Sequence, residues 1–102
     1  LVAAYSVAKS AVTGAVRAIA VEWGTDGIRV NAVAPGWIDT TMSRRAFEGD
    51  PTRKEKILTR TALRCLGDTE DVGWSVAYLC SPAAKFVTGT VIPVDGGASM
   101  GF

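Results

Sequence analysis

Residues 27–36 read Gly27-Ile28-Arg29-Val30-Asn31-Ala32-Val33-Ala34-Pro35-Gly36. From Ile28 to Ala34 the run is largely apolar at odd and even positions alike. It predicts a strand covered on both faces, as in a parallel sheet. Pro35-Gly36 ends it, because proline brings no N–H to a ladder and glycine lets the backbone turn. Just upstream, Asp26-Gly27 is a turn signal. Residues 4–23 are rich in alanine and free of proline, which predicts a helix with Gly24 as its stop. Ser6, Lys9, Ser10, Thr13 and Arg17 recur at three- and four-residue spacing as one narrow polar stripe; nearly everything else is Ala, Val, Ile, Tyr or Trp. A helix apolar round most of its circumference is covered on more than one side. One side can lie on a sheet, and a second subunit is the natural cover for the other.

Downstream of the strand, Thr40 to Phe47 reads as a short helix, Gly49-Asp50-Pro51 interrupts it, and Arg53 to Thr61 reads as another. Asp68 or Thr69 can cap the next helix, with Glu70 and Asp71 at its positive end. Val72, Val76, Leu79 and Cys80 give that helix an apolar face, and Pro82 ends it. Thr88-Gly89 turns the chain into a short strand, Thr90 to Val94, which Pro93 confines to an edge. Strands separated by helical crossovers imply a parallel sheet with right-handed connections. Two strands are few for a stable sheet, and the first would leave a long apolar edge. The chain is therefore expected to be part of something larger or to pair with another chain.

The 102 residues are 48% hydrophobic and 21% charged, ordinary soluble globular material. A net charge of +1 argues against a nucleic-acid partner. Seven of the eleven basic residues fall between Arg44 and Arg64, but Glu48, Asp50 and Glu55 interleave, which reads as a solvated, mobile surface segment. No apolar run approaches the ~18 residues of a membrane span, and no secretory signal pattern is present. No membrane partner and a cytoplasmic setting are expected. Cys65 and Cys80 read as reduced thiols. The absence of histidine excludes His-based triads and argues against zinc, so no metal is expected. The first residue is Leu1 rather than Met, from which a processed start or missing upstream sequence is expected.

Two features carry chemistry. Tyr5 and Lys9, four apart at the start of the helix, fall on neighbouring points of one face. A cation near a phenol favours its ionised form, and a tyrosine so placed can pass a proton to a carbonyl oxygen or take one from an alcohol. Taken alone, a packed tyrosine beside a solvated lysine is the commoner reading of the pair. The second feature is Ala34-Pro35-Gly36-Trp37-Ile38-Asp39-Thr40, directly after the strand. Ligands of open parallel sheets bind beyond the carboxyl ends of strands. Thr40 offers a hydroxyl and a backbone N–H at a helix start, though a plain loop with a threonine cap fits that segment equally well.

Together these stretches resemble one family. Tyr5-Ser6-Val7-Ala8-Lys9-Ser10-Ala11 looks like the active-site helix of the short-chain dehydrogenases/reductases, and residues 27–36 resemble the next strand of that family with its Pro-Gly turn. Thr40 sits where the family keeps a threonine. Arg64 to Gly67 followed by Glu70-Asp71-Val72 is similar to the segment before its last helix. Leu79-Cys80-Ser81-Pro82, Val87-Thr88-Gly89 and Val94-Asp95-Gly96-Gly97 match its C-terminal strand and tail. The resemblance covers essentially the whole chain, in order.

It implies an α/β fold, the C-terminal part of a Rossmann-like doubly wound parallel sheet. About two strands and three or more helices would be present, with residues 1–102 forming one partial domain. It implies Tyr5 as general acid/base, with Lys9 assisting it and holding the nicotinamide ribose. Pro35, Gly36 and the backbone near Ile38 would lie against the nicotinamide, and Thr40 would contact its carboxamide or the pyrophosphate. Residues 41–61 would form a substrate lid, with Trp37 and Met42 lining it. The activity implied is an NAD- or NADP-dependent oxidoreduction of an alcohol or ketone. The family's glycine-rich phosphate loop, its cofactor-selecting residue and its catalytic serine and asparagine lie upstream of the tyrosine, and no Gly-x-x-x-Gly-x-Gly occurs in this chain. The isolated chain is therefore expected to be an inactive fragment that does not bind the cofactor. The competing expectation is a non-enzymatic oligomerisation module. Both expect a homo-oligomer built through helix 4–23 and the C-terminal strand.

Overall fold

The structure, a computed structural model, describes residues 2–100. Helix α1 runs Val2–Trp23, strand β1 Ala32–Pro35, helices α2 Thr41–Phe47, α3 Pro51–Arg60 and α4 Thr69–Cys80, and strand β2 Val91–Val94. The two strands pair with each other. Ala32 N–H donates to Thr90 O at 2.9 Å and Gly36 N–H to Val94 O at 3.0 Å. The register advances from 32 to 36 on one strand and from 90 to 94 on the other, so the pair is parallel, as the sequence predicts. Among the described residues no helix is long and apolar enough to cross a membrane.

The residues group into two compact units, Leu1–Ala32 with Tyr78–Ile92, and Val33–Ala77 with Pro93–Phe102. The first holds the buried apolar residues Val16, Ala20, Leu79 and Ala84. Its long α-helix ends at Trp23, directly before Gly24, as the sequence predicts. A 3-10 turn, Gly24–Asp26, follows, and Gly27 closes it at φ 75°. Gly27 N–H donates to Gly24 O and Ile28 N–H to Trp23 O, at 3.1 and 3.2 Å. That pair of bonds is the Schellman arrangement, which places the left-handed glycine at position 27 and leaves Gly24 inside the turn.

The expected strand Ile28 to Ala34 is shorter and later than predicted. Residues 28–31 are not part of the ladder; Val30 O accepts from Gly89 N–H at 2.7 Å, and side chains make the remaining ties to the 87–90 loop. Val30 N–H donates to Thr88 Oγ1 at 3.0 Å, and Asn31 Nδ2 donates to Val87 O at 2.9 Å while its Oδ1 accepts from Thr90 N–H at 3.2 Å. Gly89, at φ 72°, brings this loop to α1, where an added Cβ would stand 3.4 Å from Ala20 Cβ.

In the second unit the helix starts are local. The Asp50 carboxylate accepts from Arg53 N–H with Pro51 at the first position of α3. Asp68 caps α4, accepting from Glu70 and Asp71 N–H, while Asp71 Oδ2 accepts from Asp68 N–H at 2.9 Å. Of the two caps the sequence leaves open, Asp68 is used. Ile38 and Gly67 form an isolated parallel bridge. Residues 95–97 pack on the segment after α3: Leu63 N–H donates to Gly96 O at 3.1 Å, and a Cβ on Gly97 would stand 2.7 Å from Ala62 Cβ. Of the predicted apolar face of α4, Leu79 is buried and Val72 half-buried, whereas Val76 and Cys80 are exposed. Cys65 and Cys80 are both free thiols at the surface.

Candidate functional site

In the first unit, Tyr5 and Lys9 sit on the first turns of α1, where the 3.6-residue period stacks positions four apart. Lys9 Nζ lies 5.5 Å from the centroid of the Tyr5 ring, within reach of a cation–π contact. Tyr5 is 66% exposed. Among the described residues the ion pair within 4.0 Å is Asp39–Arg44, so Lys9 has no carboxylate partner. A phenol and an ammonium one turn apart and open to solvent can serve as a proton donor and a hydrogen-bonding cation for a bound polar ligand.

The remaining residues singled out from the sequence belong to the second unit. Pro35 closes β1, and the glycine after it is explained by packing. A Cβ on Gly36 would stand 2.6 Å from Asp95 Cβ and 2.7 Å from its Cα. The Ser99 hydroxyl and amide and the Gly97 amide hold the Asp95 carboxyl below the usual carboxylate range, against a smaller opposing effect of desolvation. Ile38 is pinned against Gly67, where an added Cβ would meet Ile38 Cδ1 at 2.9 Å. Thr40 caps α2. Its hydroxyl accepts from Ser43 N–H at 3.2 Å and its own N–H donates to Ser43 Oγ at 2.9 Å, a reciprocal capping box. Both groups that the sequence offers to a ligand are thus engaged by Ser43.

Trp37 anchors the helical segment that follows. Its ring lies 5.6 Å from Phe47 of α2 at 38°, and the Arg53 guanidinium of α3 stands 5.9 Å from its centroid. Trp37 also borders two cavities. One, of about 580 Å³, is lined by Ile38, Leu63, Cys65, Asp71 and Asp95 among others. The other, of about 320 Å³, is lined by Asp50, Arg53, Lys56 and Arg60 among others. Met42, on α2, is 82% exposed and borders neither.

Pro35, Gly36, Trp37, Ile38 and Thr40 thus lie on one stretch from the end of β1 to the start of α2, while Tyr5 and Lys9 form a pair of their own on α1. Sequence reasoning missed three features. Arg44 grips Asp39 with two hydrogen bonds of 2.7 and 3.0 Å, which keeps the Asp39 carboxyl below its usual range. Arg53 reaches Trp37, and Asp95 gathers the turn after β2. The acidic residue five before an arginine was visible in the sequence, but its loop geometry was not.

Among the described residues no group of three or more His, Cys, Asp or Glu could hold a metal. A nicotinamide dinucleotide fits in part. The solvent-open Tyr5 phenol and Lys9 ammonium suit a ribose hydroxyl and a reacting oxygen, but no glycine-rich loop for a pyrophosphate is present in the sequence.

Residues 2–99 match the family model described as enoyl-(acyl carrier protein) reductase. A tropinone reductase homologue of Arabidopsis thaliana is 45% identical over 93 residues, covering 91% of this chain and 34% of the relative. A solved protein of Agrobacterium tumefaciens with bound NADP, described as a candidate 2-deoxy-D-gluconate 3-dehydrogenase, superposes with a TM-score of 0.88 at 38% identity, covering 94% of this chain and 39% of that one. A 4-hydroxyisoleucine dehydrogenase complexed with NADH superposes at 0.92 with 32% identity, covering 98% and 41%. The chain spans about a third of the length of the curated relatives it matches.

Proposed function

The chain belongs to the short-chain dehydrogenase/reductase family, and we propose that it supplies the proton-transferring and substrate-facing part of an NAD- or NADP-dependent oxidoreductase that interconverts an alcohol and a ketone. The observation that carries this reading is the Tyr5–Lys9 pair, with the ammonium 5.5 Å over the ring and the phenol open to a ligand. The Tyr5 hydroxyl donates its proton to a carbonyl oxygen in the reductive direction and takes one from an alcohol in the other. Lys9 favours the negative charge that builds on the phenol oxygen and donates hydrogen bonds to a ribose. The nicotinamide, when bound, supplies the hydride. Pro35, Gly36 and Ile38 would line the nicotinamide side, Thr40 would reach its carboxamide or the pyrophosphate by exchanging its bonds to Ser43, and Trp37 and Met42 would belong to the lid over the substrate. Relatives solved with NADP and with NADH support this cofactor class.

The 102-residue chain by itself is inactive in this reading, because a proton-transfer pair without a phosphate site does not hold a cofactor in a reactive geometry. Titration with NADPH and NADH, followed by nicotinamide and tryptophan fluorescence, is expected to show no saturable binding. In an active oxidoreductase that contains this chain, Tyr5→Phe is expected to lower kcat by about 10²–10⁴-fold with the protein still folded. An unchanged kcat would overturn the assignment.

A second reading, a non-enzymatic assembly module, is favoured by the exposed Val2, Val7, Val12 and Val21 of α1. In both readings a second copy is proposed to cover α1, with β2 as a further contact.

A further inference from the structure

The cations of α3 are not spread evenly around it. Arg53, Lys56 and Arg60 line one cleft of about 320 Å³ with the Trp37 indole and Asp50. Lys54 and Glu55 border a separate depression with Leu58 and Arg64. In the cleft three positive charges face one negative charge, and the Asp50 carboxylate already accepts the Arg53 amide hydrogen. Among the described residues none of the three cations has a carboxylate within 4.0 Å. Like charges one turn apart on a helix repel each other, and a bound anion relieves that repulsion. The Arg53 guanidinium, 5.9 Å over Trp37, is already directed across the indole. An arginine fork matches a planar carboxylate, and the aromatic wall suits a carbon skeleton attached to it. The volume sits at the lower end of the ~300–1,000 Å³ of small-molecule sites, too small for a macromolecular surface.

We propose that this cleft binds a small organic carboxylate, with the carboxylate held by Arg53, Lys56 and Arg60 and the carbon skeleton against Trp37. Joined to the oxidoreductase reading, on which this last step alone rests, the site makes a hydroxy acid or keto acid the substrate class. The test is titration of the protein with succinate at low ionic strength, followed by tryptophan fluorescence and backbone amide shifts. Saturable binding is expected, with shifts centred on residues 53–60 and the Trp37 indole. Arg53→Gln is expected to weaken it about tenfold, whereas Lys54→Gln, which removes the same charge from the other face, leaves it unchanged. Both residues are exposed, and circular dichroism checks that both variants keep the fold. An equal loss in Lys54→Gln, inorganic phosphate binding as tightly as succinate, or no saturation at all would each overturn the proposal. The readout needs neither nicotinamide nor turnover. A failed succinate titration therefore leaves the Tyr5 assignment standing, and a failed Tyr5→Phe test leaves the cleft standing.

Discussion

Gly36 and Asp95 stand so close that the turn after β1 has no room for a side chain. A Cβ at position 36 would lie 2.6 Å from Asp95 Cβ and 2.7 Å from Asp95 Cα. Neither atom is the far end of a flexible side chain, and the turn is held by the bond from Gly36 N–H to Val94 O. Gly36→Ala therefore forces the backbone apart, at a cost of ~1–3 kcal/mol by comparison with overpacked sites. Denaturant unfolding should show a lower midpoint at unchanged slope. A midpoint equal to that of the parent would mean the turn relaxes freely.

Asp95 also sets an acid sensitivity. Its folded-state pKa is lowered from 3.8 by the Ser99 hydroxyl, the Ser99 amide and the Gly97 amide. A carboxylate whose folded pKa is depressed stabilises the fold fully above its unfolded value, and that contribution is lost as pH falls through the folded one. Stability measured from pH 6 downward is thus expected to fall on the acid side of 3.8. Asp39, also depressed, adds to the same limb. Asp95→Asn should be less stable than the parent at neutral pH and show a shallower acid decline. Parallel acid limbs in the two proteins would contradict the assignment.

Helix α1 separates two kinds of burial. Val16 is 8% exposed, while Ala15 beside it is at the surface. Val16→Asp places an unpaired charge in the small apolar core and should cost about 3–5 kcal/mol, enough to unfold the chain. Ala15→Glu should leave the helical circular dichroism intact. If a second copy covers this helix, it should also reduce the mass seen by light scattering. Intact assembly in Ala15→Glu would place the partner surface elsewhere.

Much of this protein is legible in its sequence because the deciding interactions are local. Thr40 with Ser43, Asp50 with Arg53 and Asp68 with Asp71 close helix starts within three residues. The Tyr5–Lys9 pair follows from helical spacing alone. The family is legible for the same reason, since its motifs are contiguous runs. Tertiary structure decided the rest. The strand begins at Ala32 and not at Ile28 because a strand exists only where a partner continues the ladder, and the loop 87–90 engages residues 29–31 through a single backbone bond, Gly89 N–H to Val30 O, and otherwise through side chains. It also decided that Gly36 is glycine because of Asp95, and that Arg53 crosses Trp37. Those contacts join residues far apart along the chain, and no local propensity or spacing encodes which distant backbone will arrive beside a given side chain.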